Sequence, residues 1–565
     1  MKQNIRPTGA PLPAKAYRRK RSFKLSGWNV VVLIIAGLVA TPVLVVLSNV
    51  FASSGDVWSH LASTVLPDYI RNSLVLMVGV GAGVTVVGVG SAWLVTMCRF
   101  PGRWLFEWAL LLPMAVPAYI LAYAYTDFLQ FAGPVQSTLR DVFGWGPRDY
   151  WFPNIRSLWG AAVMLTLALY PYVYLLTRAS FLEQSVSILE ASRSLGRNAW
   201  QSFRVVSLPL ARPAIVAGVA LALMETLSDF GTVEYFGVQT FTTGIYRTWF
   251  GLGERVAAAQ LAAFLLLFVL ILIGLERYSR RQMTFLQPGS SRYRTLKRYQ
   301  LGGWRAALAL FACTLPVLLG FLVPSGVLLE MTLSHADTAL NPRFWVYARN
   351  TLTLAAITAL LAVAIALVLA YGVRLQPNVV TRFATRISAM GYAVPGSVIA
   401  VGVLMPLGRI DNAIDAAMES LFGISTGLLL SGTIVGLVFA YLVRFLAVSF
   451  GTVEASLGKI TRSMDDAARS LGHKTLGTLF RVHVPLLRGS LLTAALLVFV
   501  DVTKELPATL IVRPFNFDTL AVRVYRLASD ERLVEASGGA LAIVLVGIIP
   551  VIVLSVAIAR SRQSA

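Results

Sequence analysis

The sequence predicts an all-α membrane protein with about twelve transmembrane helices, arranged as two tandem domains of six helices each. Of the 565 residues, 56% are hydrophobic and only 13% are charged, whereas soluble proteins carry about 25% charged residues. Twelve apolar runs reach the roughly 20 residues needed to cross about 30 Å of hydrocarbon. In addition, one polar sequence occurs twice, starting at Glu190 in the first half of the chain and again at Asp466 in the second half. A period this long indicates two copies of a whole domain.

The amino-terminal segment favours a retained first helix. Residues 1–27 hold eight Lys or Arg and no acid, and the apolar run that follows is about 23 residues long. A secretory signal has a shorter apolar core and a small-residue cleavage site. We therefore predict a basic cytoplasmic tail, 1–27, followed by a first transmembrane helix.

The remaining apolar runs divide equally between the two halves of the chain. Backbone polar groups cannot stay unpaired in lipid, so each run is expected to be a helix. In the first half the predicted spans lie near residues 28–50, 72–97, 105–126, 157–177, 211–232 and 256–275. In the second half they lie near 304–329, 350–374, 383–407, 424–446, 487–508 and 538–560.

The charged residues predict the orientation of these helices. The tail and the joining segment 276–305 each contain eight Lys or Arg, and such residues stay on the cytoplasmic side. Segments 51–71 and 408–423 are richer in acids and are expected to be outer loops. Both termini are therefore predicted in the cytoplasm. A cytoplasmic linker, 286–303, would join a first domain, 28–285, to a second domain, 304–565.

The net charge of +22 lies in short segments between the apolar runs. This distribution favours contact with anionic lipid of the bilayer over nucleic acid binding. Cys98 and Cys313 are too few for a disulfide framework or a thiolate metal site. The glycines between 79 and 90 lie inside a span and favour close helix packing over phosphate binding.

The repeated sequence keeps its spacing in both copies. The first reads Glu190-Ala-Ser-Arg-Ser-Leu-Gly196 and ends at Leu208-Pro209. The second reads Asp466-Ala-Ala-Arg-Ser-Leu-Gly472 and ends at Val484-Pro485. Glycine supplies the permissive backbone that a tight reversal needs. We predict a helix, a glycine turn and a second helix, followed by a proline that marks entry to the fifth span.

The halves match at further positions. Arg71-Asn72-Ser73 recurs as Arg349-Asn350-Thr351, and Val116-Pro117 recurs as Val394-Pro395. Two parallel copies in the same orientation build a pseudo-twofold axis along the membrane normal. We expect a path for solute along that axis.

The repeated sequence resembles the EAA loop of ABC importer permeases, over residues 190–209 and 466–485. Longer stretches look like the fused ferric-iron ABC permeases: 227–236, 242–250, 501–509 and 513–523. The resemblance implies two type I permease domains. It also implies a permease subunit, in the bacterial inner membrane, of a binding-protein-dependent importer for ferric iron that works by alternating access.

The resemblance assigns partners and coupling residues as well. In that family the short EAA helix sits in a groove on an ATPase subunit, of which two copies are expected. The coupling residues implied are Glu190, Ala191, Gly196, Pro209, Asp466, Ala467, Gly472 and Pro485. Asp466 departs from the family's Glu by one methylene. A soluble periplasmic solute-binding protein is expected to dock on loops that include 241–247 and 517–523.

No enzymatic activity is expected on this chain. It lacks a G-x-x-x-x-G-K-[ST] phosphate loop, so ATP and Mg are expected on the separate ATPase subunit. No cofactor is expected on the permease itself, and ferric ion would be the transported solute.

Two pairs of acids in the fifth spans are candidates for the solute path. Glu225 and Asp229 are four residues apart, and Asp501 and Glu505 repeat the pair at the equivalent positions of the second half. That spacing predicts one helical face for each pair, in the outer part of the span. Four carboxylates around the axis would suit a hard cation, with Lys504 offsetting one charge. Alternatively, the acids cap helix ends, bond to neighbouring helices or meet water.

The sequence leaves the solute open. Thiamine and phosphonate importers have similar permeases and remain alternatives to a ferric importer. An ion-coupled secondary transporter also uses repeats and intramembrane acids, but it needs no ATPase and gives no reason for paired EAA loops.

Overall fold

A computed structural model describes residues 27–184, 190–192, 194–281 and 298–563, and most of them are helical. Within these residues, eleven helices are long and apolar enough to cross a membrane, and one sharply bent pair of helices gives a twelfth candidate. The prediction of an all-α polytopic membrane protein is therefore confirmed. Most of the predicted tail and linker lie outside the described residues.

Except in the third span, the long helices of the first half follow the predicted spans closely, with short helices between them. They are α1 (Gly27–Ser48), α2 (Asp56–Thr64), α3 (Leu66–Met97), α4 (Arg103–Ala109), α5 (Ala118–Leu129), α6 (Pro134–Phe143), α7 (Leu158–Glu183), α8 (Ala199–Ser202), α9 (Leu208–Ser228), α10 (Gly231–Tyr235), α11 (Phe241–Tyr246) and α12 (Arg255–Arg281).

The second half has the same order of long helices. They are α13 (Trp304–Val317), α14 (Val323–Ser334), α15 (Ala336–Ala339), α16 (Pro342–Leu375), α17 (Val379–Ser388), α18 (Gly396–Phe422), α19 (Ile434–Leu457), α20 (Arg462–Ser470), α21 (Thr475–Thr478), α22 (Val484–Thr503), α23 (Pro507–Val512), α24 (Leu520–Ser529) and α25 (Leu533–Gln563). A five-residue π-helical turn, Leu318–Leu322, joins α13 to α14.

One short parallel strand pair ties the start of the second half to the first. Strand β1 (Cys98–Arg99) follows α3, and strand β2 (Tyr299–Gln300) precedes α13. In their register Cys98 lies opposite Tyr299. The chain that leaves the linker is therefore held against the end of α3.

Small residues allow α3 to approach α7 closely. A Cβ placed on Gly83 would lie 2.6 Å from the hydroxyl of Thr166, and one on Gly88 would lie 2.7 Å from the side chain of Val173. Real Cβ atoms do not come this close, so glycine is required at both positions. The interpretation of these glycines as packing residues is confirmed.

The hydrophobic core consists of two clusters that do not follow the two halves of the chain. One cluster combines α3, α5 and α7 of the first half with α13, α14 and α25 of the second half. The other combines α1 and α12 of the first half with α16, α18, α19 and α22 of the second half. The first and last long helices of each half therefore pack on the central helices of the other half.

The third span of each half is broken, where the sequence predicted an uninterrupted helix. In the first half the chain turns by 89° between the segment ending at Ala115 and α5. The break falls at Val116-Pro117, and its counterpart Val394-Pro395 separates α17 and a short 3₁₀ turn from α18. Proline lacks an N–H donor and disfavours helical backbone in the residue before it. The repeated Val-Pro pair thus marks the break.

Two predicted ranges in the second half are wrong for this reason. The run 383–407 straddles the break, and the long helix of that region is Gly396–Phe422. Residues 408–422 are therefore helical, whereas a loop was expected there. The next helix runs from Ile434 to Leu457, about ten residues later than the predicted span 424–446. Apolar content alone could not show where the helix was interrupted.

Candidate functional site

The two repeated sequences form similar coupling segments, each with a helical turn closed by glycine. Gly196 has a φ of 77° and Gly472 a φ of 81°, a conformation that side chains disfavour. In the second segment the N–H of Gly472 donates to the carbonyl of Arg469 at 2.9 Å. Both glycines therefore end a helix as the sequence predicted.

The acids of the coupling segments face outward. Glu190, Ala191, Asp466 and Ala467 are all exposed, and Asp466 forms an ion pair with Arg469 at 3.6 Å. Beside them, Leu195 and Leu471 are 77% and 78% exposed. An exposed leucine next to an exposed acid, present in both halves, is the surface expected of a segment that docks into a partner.

Pro209 and Pro485 lie in the first turn of α9 and α22, as predicted, but no loop separates them from the helix before. Each follows a five-residue π-helical turn, Phe203–Ser207 and Leu479–His483. As a result Ala199–Ser228 and Thr475–Thr503 are each continuous across the turn. Since proline cannot donate its N–H and clashes with the carbonyl four residues earlier, a widened turn absorbs it. The second helix of each coupling segment is thus the start of the fifth span.

The second coupling segment is held by charged side chains that the sequence analysis missed. Arg374, in the last turn of α16, donates to both carboxylate oxygens of Asp465, at 2.9 and 3.0 Å. The buried imidazole of His483 lies 2.8 Å from the same carboxylate. Burial alone would raise the pKa of Asp465, but the hydrogen bonds from Arg374 and His483 hold that pKa below its ordinary value. We call Arg374, Asp465 and His483 the α20 clamp.

The fifth helices α9 and α22 end inside the bundle, beside a cavity of about 130 Å³. Its walls include Leu165 and Tyr172 from the middle of α7, and Arg444 from the middle of α19. Residues near both helix breaks, such as Pro117 and Tyr392, complete the lining. The cavity therefore lies between the two halves and near mid-depth of the fourth helices, in a volume that can hold several water molecules.

All four acids proposed from the repeat line this cavity. They are Glu225, Asp229, Asp501 and Glu505. Glu225 and Asp501 lie in the last turns of α9 and α22, and Asp229 and Glu505 lie just beyond them. The expectation that each pair shares one helical face is therefore wrong, because the helix ends between its two acids.

The second acid of each pair instead caps the helix that follows. One oxygen of Asp229 accepts hydrogen bonds from the N–H groups of Thr232 and Val233, both at 3.1 Å. Glu505 accepts one from the N–H of Ala508 at 2.8 Å. Free N–H groups at a helix start are satisfied in this way. The alternative interpretation of these acids as caps is confirmed for Asp229 and Glu505.

Arg444 is the principal cavity residue that the sequence analysis missed. It is 6% exposed and lies 3.3 Å from Glu505 and 3.9 Å from Glu225, which belongs to the other half. The equivalent position of the first half holds Ala168, so a search for repeated residues could not find this arginine. The available signal was a lone charge inside the predicted span 424–446, since intramembrane charges are rare and functional.

The remaining charges of the cavity are also paired. Lys504 lies 3.0 Å from Asp501. With Arg444 this gives two cations against four carboxylates, an excess of acid. Among the described residues, no group of three or more His, Cys, Asp or Glu is arranged to hold a metal ion. The cavity is thus an ion-paired chamber, and its carboxylates do not form a preformed chelate.

The segments expected to form an outer docking platform are largely internal. Phe241 and Ile245 of α11 are buried, as are Leu520 and Val522 of α24. Asn72 and Asn350 donate to the carbonyls just before these helices, at 2.9 and 3.2 Å. The expected platform therefore cannot consist of residues 241–247 and 517–523 as exposed loops.

Part of the chain matches a known family of membrane transport proteins. Residues 84–285 match the family described as "Binding-protein-dependent transport system inner membrane component". This range includes the first coupling segment and the first-half acids of the cavity. In this range the chain is similar to the membrane permeases of binding-protein-dependent transport systems, in keeping with its many candidate membrane spans.

Individual relatives extend the match across both halves. The chain is 26% identical over 498 residues to the Fe(3+)-transport system permease protein FbpB 2 of Haemophilus influenzae, covering 86% of this chain and 90% of the relative. It is 24% identical over 530 residues to the putative ferric transport system permease protein FbpB 1 of the same organism, covering 89% and 80%. A shorter match, 27% over 206 residues, joins it to the molybdenum transport system permease protein ModB of Escherichia coli, covering 34% and 86%.

Proposed function

We propose that this protein is the permease subunit of an importer for ferric ion. The observation that carries the proposal is similarity along 86% of the chain to an Fe(3+)-transport permease. The similarity to the molybdenum permease covers 86% of that shorter relative but only 34% of this chain, so it does not extend over both halves. The excess of carboxylates around the cavity between the halves supports a cationic solute, because carboxylate oxygens suit hard, highly charged cations.

The proposed cycle alternates access to this cavity from the two sides of the membrane. An extracytoplasmic binding protein would deliver the ion, and two copies of a separate ATPase subunit would bind the coupling segments around Gly196 and Gly472. Hydrolysis of ATP takes place on those subunits. Both termini lie in the cytoplasm in this proposal, as the basic tail and linker require.

The coupling residues have a defined role in the cycle. Glu190 and Asp466 would contact the ATPase, while Gly196 and Gly472 fix the direction of the helix that presents each acid. Because each coupling segment continues directly into α9 or α22, movement of the ATPase reaches the helices that end at the cavity. Pro209 and Pro485 lie within that rigid connection.

The test is reconstitution of the full permease with its ATPase subunits in proteoliposomes. We expect iron-loaded binding protein to stimulate ATP hydrolysis and the uptake of radioactive iron. Binding proteins loaded with thiamine, phosphonate or molybdate are assayed in the same way to test the alternative solutes. If one of these stimulates hydrolysis and iron does not, the ferric assignment is wrong.

A matched pair of substitutions tests the cavity in the same assay. Glu225→Gln removes one charge from the cavity, and we expect iron uptake to fall at least tenfold. Glu419→Gln makes the same chemical change at an exposed position of α18 and should leave uptake unchanged. Equal uptake by both variants at equal expression would remove Glu225 from the mechanism.

A further inference from the structure

Arg444 lies between acids of the two halves, in the wall of the cavity that all four carboxylates line. Its guanidinium lies 3.9 Å from Glu225 of the first half and 3.3 Å from Glu505 of the second. Glu505 is 5% exposed, so the arginine neutralises a carboxylate that is almost completely removed from water. Leaving such a carboxylate without a partner is strongly unfavourable.

The surrounding backbone is shaped around this arginine. Gly396 is the first residue of α18, and a Cβ built on it would lie 2.2 Å from a terminal nitrogen of Arg444 and 2.8 Å from Glu505. Any larger residue would therefore displace the ion pair. The break at Val394-Pro395 comes directly before this glycine, so α18 begins beside the ion pair.

The arginine is nevertheless incompletely satisfied. Its Nε has no hydrogen-bond partner in the described structure, although it is fully buried. The contact with Glu225 is also long for an ion pair. Arg444 is thus held closely by Glu505 and loosely by Glu225. Its guanidinium can move away from Glu225 without the loss of a complete set of hydrogen bonds.

We infer that Arg444 is a built-in substitute for the transported cation. It holds Glu225 and Glu505 together across the two halves when no ion is present, and it leaves when the halves separate and a hard trivalent cation enters between the same carboxylates. This inference rests on the proposed cationic solute. It accounts for a single arginine placed among four carboxylates.

The inference is tested by cation binding, without any transport step. The probe is terbium(III), a hard trivalent cation whose luminescence is sensitised by nearby tyrosine, and Tyr119, Tyr172 and Tyr392 all line the cavity. Arg444→Gln in the full-length detergent-purified permease should bind terbium at least tenfold more tightly than the unchanged protein. The double variant Arg444→Gln, Glu225→Gln should lose that gain.

A second variant guards against a misfolded Arg444→Gln protein. Gly396→Ala keeps the arginine but inserts a methyl group where its guanidinium lies, so it should also increase terbium affinity. Gly451→Ala is the matched control, because nothing lies within 4 Å of a Cβ at that position. Terbium affinity that is the same in all these proteins would overturn the inference.

The outcomes separate this inference from the ferric assignment. If Arg444→Gln abolishes iron uptake but does not increase terbium affinity, the arginine does not substitute for the solute, although ferric transport stands. If terbium affinity rises as expected while iron-loaded binding protein fails to stimulate hydrolysis, the cation site stands and the ferric assignment fails.

Discussion

Asp229 shows that a single carboxylate can serve both the fold and the cavity. Its oxygens accept hydrogen bonds from two backbone N–H groups and from the hydroxyl of Thr232, while the residue also lines the cavity. A structural role and a role in the solute path are therefore compatible at this position. Substitutions can separate them, because asparagine keeps an acceptor oxygen and alanine does not.

We predict that Asp229→Asn folds normally but lowers iron uptake severalfold, because it retains the cap and loses the charge. Asp229→Ala should in addition destabilise the protein by about 0.5–2 kcal/mol, the usual effect of losing a helix cap. The melting temperature in detergent and the uptake rate in proteoliposomes measure the two effects. Full uptake by the asparagine variant would show that the charge of Asp229 plays no part in transport.

Sequence reasoning found the four acids because they repeat, and it missed Arg444 because it does not. Symmetry is a strong signal for residues that both halves need. A comparison of the two halves does not detect a residue that is present in one half only and contacts both. Arg444 contacts acids of both halves from α19 alone, so only its isolated charge in an apolar run could have revealed it.

At the scale of single elements, the second coupling segment is held by a cluster of side chains that the sequence of the first half does not repeat. The α20 clamp fixes the second segment to the end of α16. In the sequence of the first half, Leu189 and Ser207 stand at the positions equivalent to Asp465 and His483, so the first half cannot form the same cluster. The clamp is therefore expected to make α20 and the end of α16 move together.

We predict that Asp465→Asn loosens α20 without unfolding the permease. Charge-assisted hydrogen bonds contribute about 1.5–3 kcal/mol each, so amide hydrogen exchange over residues 462–473 should accelerate about tenfold or more. Iron transported per ATP hydrolysed should fall as well. Arg462→Gln, at an exposed position on the same helix, is the control and should change neither quantity. Unchanged exchange in Asp465→Asn would show that the clamp does not hold the segment.

The helix interruptions illustrate the limit of sequence prediction at this scale. Val116-Pro117 and Val394-Pro395 were recognised as repeated, but hydropathy still favoured one continuous span across each. The backbone groups beside each break pair locally, the N–H of Val116 with the carbonyl of Pro113 and the N–H of Val394 with the carbonyl of Gly391. Only the proline marks the interruption in the sequence, because the residues on both sides of it are apolar.

At the scale of the whole molecule, the two halves are interlocked. A Cβ on Gly402 of α18 would lie 2.2 Å from the carbonyl oxygen of Pro42 in α1, so the first helix fits closely against the second half. The repeat predicted two copies in the same orientation, but it did not show which helices of one half pack against the other half. That arrangement depends on long-range packing, which a local pattern does not encode.

We predict that the protein survives cleavage of its linker. Fragments 1–290 and 291–565 expressed together should copurify as a stable complex, because α1 and α12 pack on the second half. Removing residues 1–52 from the first fragment should weaken the complex, as measured by size-exclusion chromatography. Fragments that separate readily would contradict the interlocked core.

The most direct test of the whole account is the distance between the two coupling segments during the cycle. Ser194 and Ser470 are equivalent exposed positions in the two copies, and each can be changed to cysteine with little alteration in size and then spin-labelled. With the ATPase subunits bound, addition of Mg-ATP should shift the distance between the two spin labels, as measured by pulsed electron paramagnetic resonance. Addition of ADP should leave that distance unchanged. An unchanged distance distribution with ATP would contradict the claim that the ATPase moves the two halves about the charged cavity.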